Sequence, residues 1–296
     1  MNEKSWPKIS IVTPAFNARQ FIEAAIKSVL EQNYPNLEYI IIDGGSTDGT
    51  VDIIKKYEKH ISHWESNPDR GQTHALNKGF SRATGILRGW LNADEEYLPG
   101  TLRCVGGEYS ASNDLELIYG NRYFLNLNVD PPVKRLEKIF PILPFSLMFY
   151  TGRILCSDAT FWTKQVHDAL GELDEERYPR YAMDAEWLLR VTGMVHRWKH
   201  IAKPLSVFKL HGVNITTEAV NRGLRYNEQI RRAYAKAHGI STFKIFLGWL
   251  WYSTRLRIWE KGILGMFTPP RWDTFAYLFL HKYRKNKQKN GFTKKA

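Results

Sequence analysis

Apolar residues in this chain fall in short runs that stop abruptly at polar turn residues. The first is Ile9-Ser10-Ile11-Val12, which closes on Thr13-Pro14-Ala15-Phe16-Asn17; the second is Ile40-Ile41-Ile42, which closes on Asp43-Gly44-Gly45-Ser46-Thr47-Asp48-Gly49-Thr50. Runs of this length bounded by turn formers predict buried strands, here over 8–13 and 37–42. Between them Phe21, Ile22, Ala25, Ile26, Val29 and Leu30 recur at helical spacing, which predicts a helix over 18–32 that Asn33-Tyr34-Pro35-Asn36 breaks. The alternation continues with a helix over 48–58, a short strand over 61–66 and a helix ending near 82 that carries Ala75, Leu76 and Phe80. A fourth strand over 86–91 ends in Asn92-Ala93-Asp94-Glu95-Glu96. A βαβαβαβ order argues for a parallel sheet covered by helices. Ligands of such sheets bind at the carboxyl ends of the strands, which puts Asp43 and Asp48 at the mouth of a crevice.

Beyond residue 98 the pattern loosens. Pro99-Gly100 opens a helix over 99–110, and 115–126 and 133–140 read as less regular strands. Residues 141–155 have loop composition with apolar side chains. A helix over 163–170 leads to Gly171, and 181–192 reads as an amphipathic helix with Trp187, Leu188 and Val191 on its apolar side. A final strand or hairpin over 195–209 ends at His211, and 215–238 is polar and helical. No internal repeat is visible.

At 296 residues the chain is long enough for one large domain, or one and a half. Its net charge of +12 is unevenly placed: residues 241–296 hold 12 Lys and Arg against 2 Asp and Glu, a local excess of +10. The first 240 residues are therefore nearly balanced, as in an ordinary soluble enzyme. Cys104 and Cys156 lie far apart with no CxxC spacing, which argues against a disulfide framework or a zinc site and for a reducing compartment. No signal peptide is expected, since Met1-Asn2-Glu3-Lys4 runs directly toward the first strand. No apolar run reaches the roughly 18 residues needed to span a bilayer.

Four motifs now stand in order: Thr13-Pro14-x-Phe16-Asn17; Asp43-Gly44-Gly45-Ser46-x-Asp48-Gly49-Thr50; Asp69-x-Gly71-Gln72-x-x-Ala75-x-Asn77-Lys78-Gly79; and Asn92-Ala93-Asp94-Glu95. Together they resemble the family 2 glycosyltransferases of GT-A fold, over about residues 7–215. The resemblance implies an α/β, Rossmann-like, mostly parallel central sheet flanked by helices. Residues 1–214 would form the catalytic domain, and 215–296 a helical, aromatic and basic extension. It also implies a nucleoside diphosphate sugar donor, UDP-linked, held by Thr13, Pro14, Asn17, Asp43, Gly45, Asp48, Arg70, Gly71, Gln72, Asn77, Lys78, Asn92, Ala93 and Asp94.

The residue chemistry suits these roles and leaves alternatives at several of them. Asp43 at a strand end accepts hydrogen bonds from a base N–H or a ribose hydroxyl, or else caps a turn. Asp48 serves equally as the N-cap of the next helix. Gly71 permits close backbone approach and Arg70 pairs with phosphate; Lys78 is a phosphate partner or a solvated surface charge. Mg²⁺ or Mn²⁺ held through one or two carboxylates neutralises a diphosphate leaving group. The family shows Asp-Asp or Asp-x-Asp at this point, whereas this chain has Asp94-Glu95. Both are expected at the metal, Glu96 is expected in solvent, and His211 is a further metal or diphosphate contact as in some relatives. Asp184 matches the family's general base, although Met183 stands where the family carries Glu, and Glu186 is the rival base. Asp158-Ala159-Thr160-Phe161-Trp162 resembles the acceptor-site segment, so Thr160, Phe161, Trp162 and Glu186 are the acceptor candidates, the aromatic rings being either sugar platforms or core.

Residues 243–259 combine Phe243, Phe246, Trp249, Leu250 and Trp251 with Lys244, Arg255 and Arg257, and Lys282 to Lys295 is a basic run. Amphipathic helices of this composition lie in membrane interfaces, and basic clusters add attraction to anionic lipid. Peripheral membrane contact through 243–296 is the expectation; packing on the catalytic domain or a second subunit is the alternative. Nucleic-acid binding has no recognition motif to support it. The sequence therefore predicts a metal-dependent inverting glycosyltransferase with a saccharide or lipid-linked glycan acceptor, cytoplasmic at the inner face of the cell membrane. A non-catalytic nucleotide-sugar-binding subunit of a glycan assembly complex is the rival reading.

Overall fold

A computed structural model describes residues 6–139, 149–150, 155–212 and 229–261. Its parallel half follows the predicted alternation: β1 (Ile9–Ala15), α1 (Ile22–Leu30), β2 (Leu37–Asp43), α2 (Thr50–Lys56), β3 (His63–Ser66), α3 (Gln72–Arg82) and β4 (Leu87–Trp90). β1 pairs in parallel with both β2 and β4, and β2 with β3. The second half adds β5 (Glu96–Tyr97), α4 (Thr101–Ala111), β6 (Leu117–Asn126), β7 (Val133–Glu137), β8 (Thr160–Thr163), α5 (Lys164–Leu170), α6 (Met183–Met194) and β9 (Trp198–Leu210). Among the described residues the strands form one sheet in the order β3-β2-β1-β4-β8-β6-β9-β5, with β7 laid against β6. β8 runs antiparallel to β4 and β6, β9 runs parallel to β6, and β5 closes antiparallel on β9. This is the mixed, mostly parallel sheet flanked by helices expected for GT-A.

β1 and β2 are buried along almost their whole length because helices cover the faces of the sheet. Ile11, Ile41, Ile26, Leu87, Leu102 and Phe161 belong to one continuous core. α3 lies so close to β1 that a Cβ on Gly79 would stand 2.3 Å from Val12 Cγ1. Glu38 on β2 is tied into the same region: it accepts from Ser10 Oγ (2.5 Å), Thr84 N (2.7 Å) and Thr84 Oγ1 (2.7 Å), and pairs with Lys8 Nζ at 2.7 Å.

Element boundaries moved where backbone donors found other partners. α1 starts at Ile22 instead of 18 because Ala18 N donates to Thr50 Oγ1 (2.8 Å) and Arg19 N to Asp48 Oδ2 (3.0 Å), which holds this stretch in a loop. The 48–58 helix shortens to α2 plus a 3-10 turn at Glu58–His60. The 133–140 strand stops at Glu137 and is largely exposed as the outer partner of β6. Most of the 141–155 segment and the start of the 215–238 segment lie outside the described residues, as does the 214/215 boundary; 229–237 is helical.

The chain divides into two compact units, 1–240 and 241–296. In the second, α7 (Thr242–Lys261) exposes Phe243, Leu247, Leu250 and Trp251. Among the described residues no helix is long and apolar enough to cross a membrane.

Two stability effects follow. Gly79→Ala forces a methyl into Val12 and lowers unfolding free energy by about 1–3 kcal/mol; Val12→Ala recovers part of that loss in the double variant, read by denaturant titration. Burial alone would raise the Glu38 pKa, but its hydrogen bonds with Lys8, Ser10 and Thr84 win and hold it at about 2. A depressed carboxylate contributes stability above its unfolded pKa and loses it as pH falls toward the folded value. Glu38→Gln is therefore less stable than wild type by about 2 kcal/mol at pH 7, and the two unfolding curves converge between about pH 5 and pH 2.

Candidate active site

The carboxyl ends of β1, β2 and β4 gather the loops that carry the sequence motifs. Asp43, the last residue of β2, is fully buried. Its Oδ2 accepts from Gly45 N (3.1 Å), Ser46 N (2.8 Å) and Ser66 Oγ (2.7 Å), and its Oδ1 accepts from Ser46 Oγ. Asp43 thus shapes the 44–46 loop, with spare acceptor capacity only on Oδ1. Gly45 sits at φ +85°, a region that suits glycine. Asn17 completes the loop pair: its N donates to Ser46 Oγ (2.7 Å) and its Oδ1 accepts from Thr47 N (3.0 Å). Thr13 is buried with its hydroxyl 3.1 Å from the Tyr39 hydroxyl, and Pro14 is buried beside it. Asp48 accepts from Thr50 N (3.0 Å), Thr50 Oγ1 (2.6 Å) and Arg19 N (3.0 Å). Burial pushes its carboxyl up, but these bonds outweigh it and the net shift is downward.

The β3–α3 loop sits against this edge. A Cβ on Gly44 would lie 2.8 Å from Asp69 Oδ2, and Asp69 Oδ1 accepts from Gly71 N at 2.8 Å. Gly71 has φ +122°, and a Cβ there would stand 2.7 Å from the Pro179 carbonyl. Gln72 Nε2 donates to Asn92 Oδ1 at 2.7 Å and so joins this loop to the end of β4. The neighbouring polar residues are engaged elsewhere. Arg70 makes a two-pronged pair with Glu175. Asn77 exchanges hydrogen bonds with the Leu173 backbone (2.9 and 3.0 Å), and Lys78 pairs with Glu65. Asn77 and Lys78 are thus engaged with α3's own neighbours in this state.

At the end of β4, Ala93 is buried and Asp94 meets His211: Nε2 stands 3.2 Å from Asp94 Oδ2, and the imidazole stacks on Phe21 with ring centroids 4.1 Å apart. Glu95 does not join them. It is buried, and its Oε2 folds back to accept from Asn92 N at 2.9 Å. Burial, then the charges of Asp158 and Asp94, drive its carboxyl well above the usual range. Of the three expected metal residues, Glu95 is thus turned away, while Asp94 and His211 stand together. Among the described residues no group of three or more His, Cys, Asp or Glu stands at ligand spacing. Glu96, expected in solvent, pairs with Lys209, since β5 lies antiparallel on β9.

Asp184 lies in the first turn of α6, after Ala182 at φ +60°. Burial raises its carboxyl above the ordinary value, opposed by the Ala185 N–H and the Arg122 charge. Glu186, the rival base and acceptor candidate, is paired in this state: Arg190 Nε and Nη2 grip it at 2.7 and 2.9 Å, and that guanidinium also donates to Leu170 O and Glu172 O. The acceptor assignments of Thr160, Phe161 and Trp162 are corrected. All three are buried in β8; Thr160 Oγ1 donates to Cys156 O (2.7 Å), and Trp162 packs among Phe80, Trp90, His167 and Trp187. No ring face is left there for a sugar.

Sequence reasoning missed the charged centre of the second half. Arg122 on β6 donates to Glu137 Oε2 (2.8 Å) and Asp158 Oδ1 (3.0 Å), and fully buried Asp158 also accepts from Ser206 Oγ at 2.6 Å. The available signal was a lone charged residue, an arginine, inside a strand rich in apolar and aromatic residues.

Comparison with known proteins places this geometry. The chain is 42% identical over 96 residues to the "Putative teichuronic acid biosynthesis glycosyltransferase TuaG" of Bacillus subtilis, covering 31% of this chain and only 37% of that protein. It is 28% identical over 268 residues to an uncharacterized glycosyltransferase of Mycobacterium tuberculosis, covering 88% of this chain and 98% of that protein. Among solved structures it is similar to S. aureus TarS 1–349 in complex with UDP-GlcNAc (TM-score 0.56, 16% identity, 75% of this chain and 66% of that one). It is also similar to the mannosyltransferase PcManGT of Pyrobaculum calidifontis in complex with GDP-Man and Mn²⁺ (TM-score 0.58, 17% identity, 98% and 89%). At that identity the two structures speak to the fold. The profile described as "Glycosyl transferase family 2" matches residues 10–169, more than half of the chain, so the protein belongs to that family and is a glycosyltransferase enzyme.

Proposed function

We propose that this enzyme moves a sugar from a nucleoside diphosphate donor, UDP-linked, to a hydroxyl of a saccharide or lipid-linked glycan, with inversion at the anomeric carbon. The observation that carries the reading is the Asp94–His211 pair at the carboxyl edge of the sheet, beside the loops of Asp43 and Gly71. The relatives support the donor class: TarS was solved with UDP-GlcNAc and PcManGT with GDP-Man and Mn²⁺. The TuaG name supports a cell-envelope polymer as the product.

Asp94 and His211 would hold a Mg²⁺ or Mn²⁺ ion, a cation that commonly takes only one or two protein carboxylates. When bound, that ion neutralises charge on the departing diphosphate. The chain's own groups do the rest. The 44–46 loop shaped by Asp43 and the Gly71 backbone border the nucleotide, and Asp184 takes the proton of the acceptor hydroxyl as its oxygen bonds to the anomeric carbon. The bond from that carbon to the diphosphate oxygen breaks, and UDP leaves. A carboxylate raised by burial is a better base near neutral pH than a solvated one.

UDP release from a panel of UDP-sugars with glycan acceptors and Mn²⁺ tests the reading. Wild type turns over one donor, Asp94→Ala loses metal-dependent turnover, and Asp184→Asn binds donor but turns over at least about a hundredfold more slowly. UDP binding with no turnover on any donor and acceptor would instead mark a binding subunit.

The second unit extends the proposal to the membrane surface. Phe243, Leu247, Leu250 and Trp251 are spaced i, i+4, i+7 and i+8, which places them on one side of α7, and residues 241–296 carry the +10 excess. Full-length protein is expected to co-sediment with vesicles containing anionic lipid and not with neutral ones. Phe243→Ser/Trp251→Ser should weaken that binding roughly tenfold or more; equal binding to both vesicle types would sink the idea.

A further inference from the structure

Three separate segments meet at the Asp94–His211 pair. Asp94 comes from the loop after β4, His211 follows the last residue of β9, and Phe21 stands immediately before α1. The Phe21 and His211 rings are stacked, with centroids 4.1 Å apart and planes 17° from parallel, and His211 Nε2 lies 3.2 Å from Asp94 Oδ2. Only 10% of the His211 side chain is exposed, against 27% for Asp94. The imidazole is therefore placed by protein neighbours, and one of its faces lies on Phe21.

Both sides of this stack are anchored. On the histidine side, Leu127 N donates to Leu210 O at 2.8 Å, and Lys209 pairs with Glu96 of β5. On the other side, Phe21 N donates to Ala18 O (2.9 Å), and Phe21 O accepts from Ala24 N (3.0 Å) and Ala25 N (3.2 Å). Ala18 N and Arg19 N are in turn held by Thr50 Oγ1 (2.8 Å) and Asp48 Oδ2 (3.0 Å), and Asp48 Oδ1 also accepts from Thr50. The acid of the second motif thus braces the turn that carries Phe21, and Phe21 carries that brace to the histidine.

A histidine that holds a metal must present one nitrogen at a fixed angle, and groups that orient such a ligand commonly change metal affinity ten- to a hundredfold when removed. A stacked ring restrains the plane of its neighbour, because tilting gives up the contact. An aliphatic side chain at position 21 would fill space without setting a plane. We propose that Phe21 is a positioning residue for the metal site: its ring fixes the plane of the His211 imidazole so that Nε2 stays beside Asp94. The proposal rests on the reading of Asp94 and His211 given above and adds to it a residue with no ligand atom of its own.

The test measures UDP affinity of the full-length protein by calorimetry with and without Mn²⁺, and the ratio of the two Kd values reads the coupling between metal and nucleotide. Phe21→Leu should lower that ratio about tenfold, whereas Phe21→Tyr keeps an aromatic face and should keep the wild-type ratio. His211→Ala should lower it as well. Phe21→Leu/His211→Ala should then match His211→Ala alone, because Phe21 acts through the histidine. A merely structural role would instead weaken UDP binding equally with and without Mn²⁺. An unchanged ratio in Phe21→Leu, with His211→Ala still lowered, overturns the role of Phe21. An unchanged ratio in His211→Ala overturns the metal reading of that residue, and the proposal with it. The stack itself is read by proton NMR without any Phe21 variant: the His211 ring protons, assigned by their loss in His211→Ala, should lie upfield of those of a solvated imidazole because they sit over the Phe21 face. Unshifted ring protons in the wild type would overturn the proposal even if Phe21→Leu did not fold.

Discussion

A buried carboxylate is tolerated only where donors meet its lone pairs. Asp43 meets that condition with two backbone N–H groups and two hydroxyls drawn from the loop after β2 and from β3. Its backbone adds to this, since Asp43 O accepts from Asn67 N at 3.0 Å, and Gly44 N donates to Ala15 O at 2.9 Å. The ends of β1, β2 and β3 are held level by these bonds. The loops that leave them therefore start from a fixed edge, and everything assigned to the donor is built on that edge.

The two halves of the sheet solve different problems. The parallel half is apolar along the middle of its strands and gathers polar groups at both ends, Ser10 and Glu38 at one and Asp43 at the other. The half containing β6, β8 and β9 places ionised groups within the sheet and covers them with rings. Asp94 and His211 stand where the halves meet, one after β4 and the other after β9. That junction brings together residues 117 positions apart in sequence.

The parallel half was legible because strand and helix periods differ and because each run ends in turn formers; β2 came out one residue longer than predicted, through Asp43. The motif residues were also legible as a group. Individual roles were harder to read, because a side chain's partner need not be near in sequence. Glu95 and Asp94 are adjacent, yet one folds inward to Asn92 while the other meets His211. Phe161 and Trp162 look the same on paper whether they line a pocket or fill a core; in the fold α5 and α6 cover Trp162, and Phe161 packs on Tyr97 on the other face of the sheet. Lys78 and Glu186 each carry a charge whose partner, Glu65 or Arg190, satisfies it on the spot. Arg122 escaped because its three partners, Glu137, Asp158 and Phe208, come from three separate segments.

The contact at Gly71 reaches further than its own loop. Pro179 O accepts from Thr73 N (3.1 Å), Tyr178 O accepts from Thr73 Oγ1 (2.5 Å), and the absence of a side chain at Gly71 lets the Pro179 carbonyl come close. Pro179 lies five residues before Asp184. The start of α3 and the approach to α6 are thus sewn together, and neither shifts without the other. A side chain larger than hydrogen at position 71 would therefore disturb two distant stretches at once, the loop that opens α3 and the turn that leads to α6.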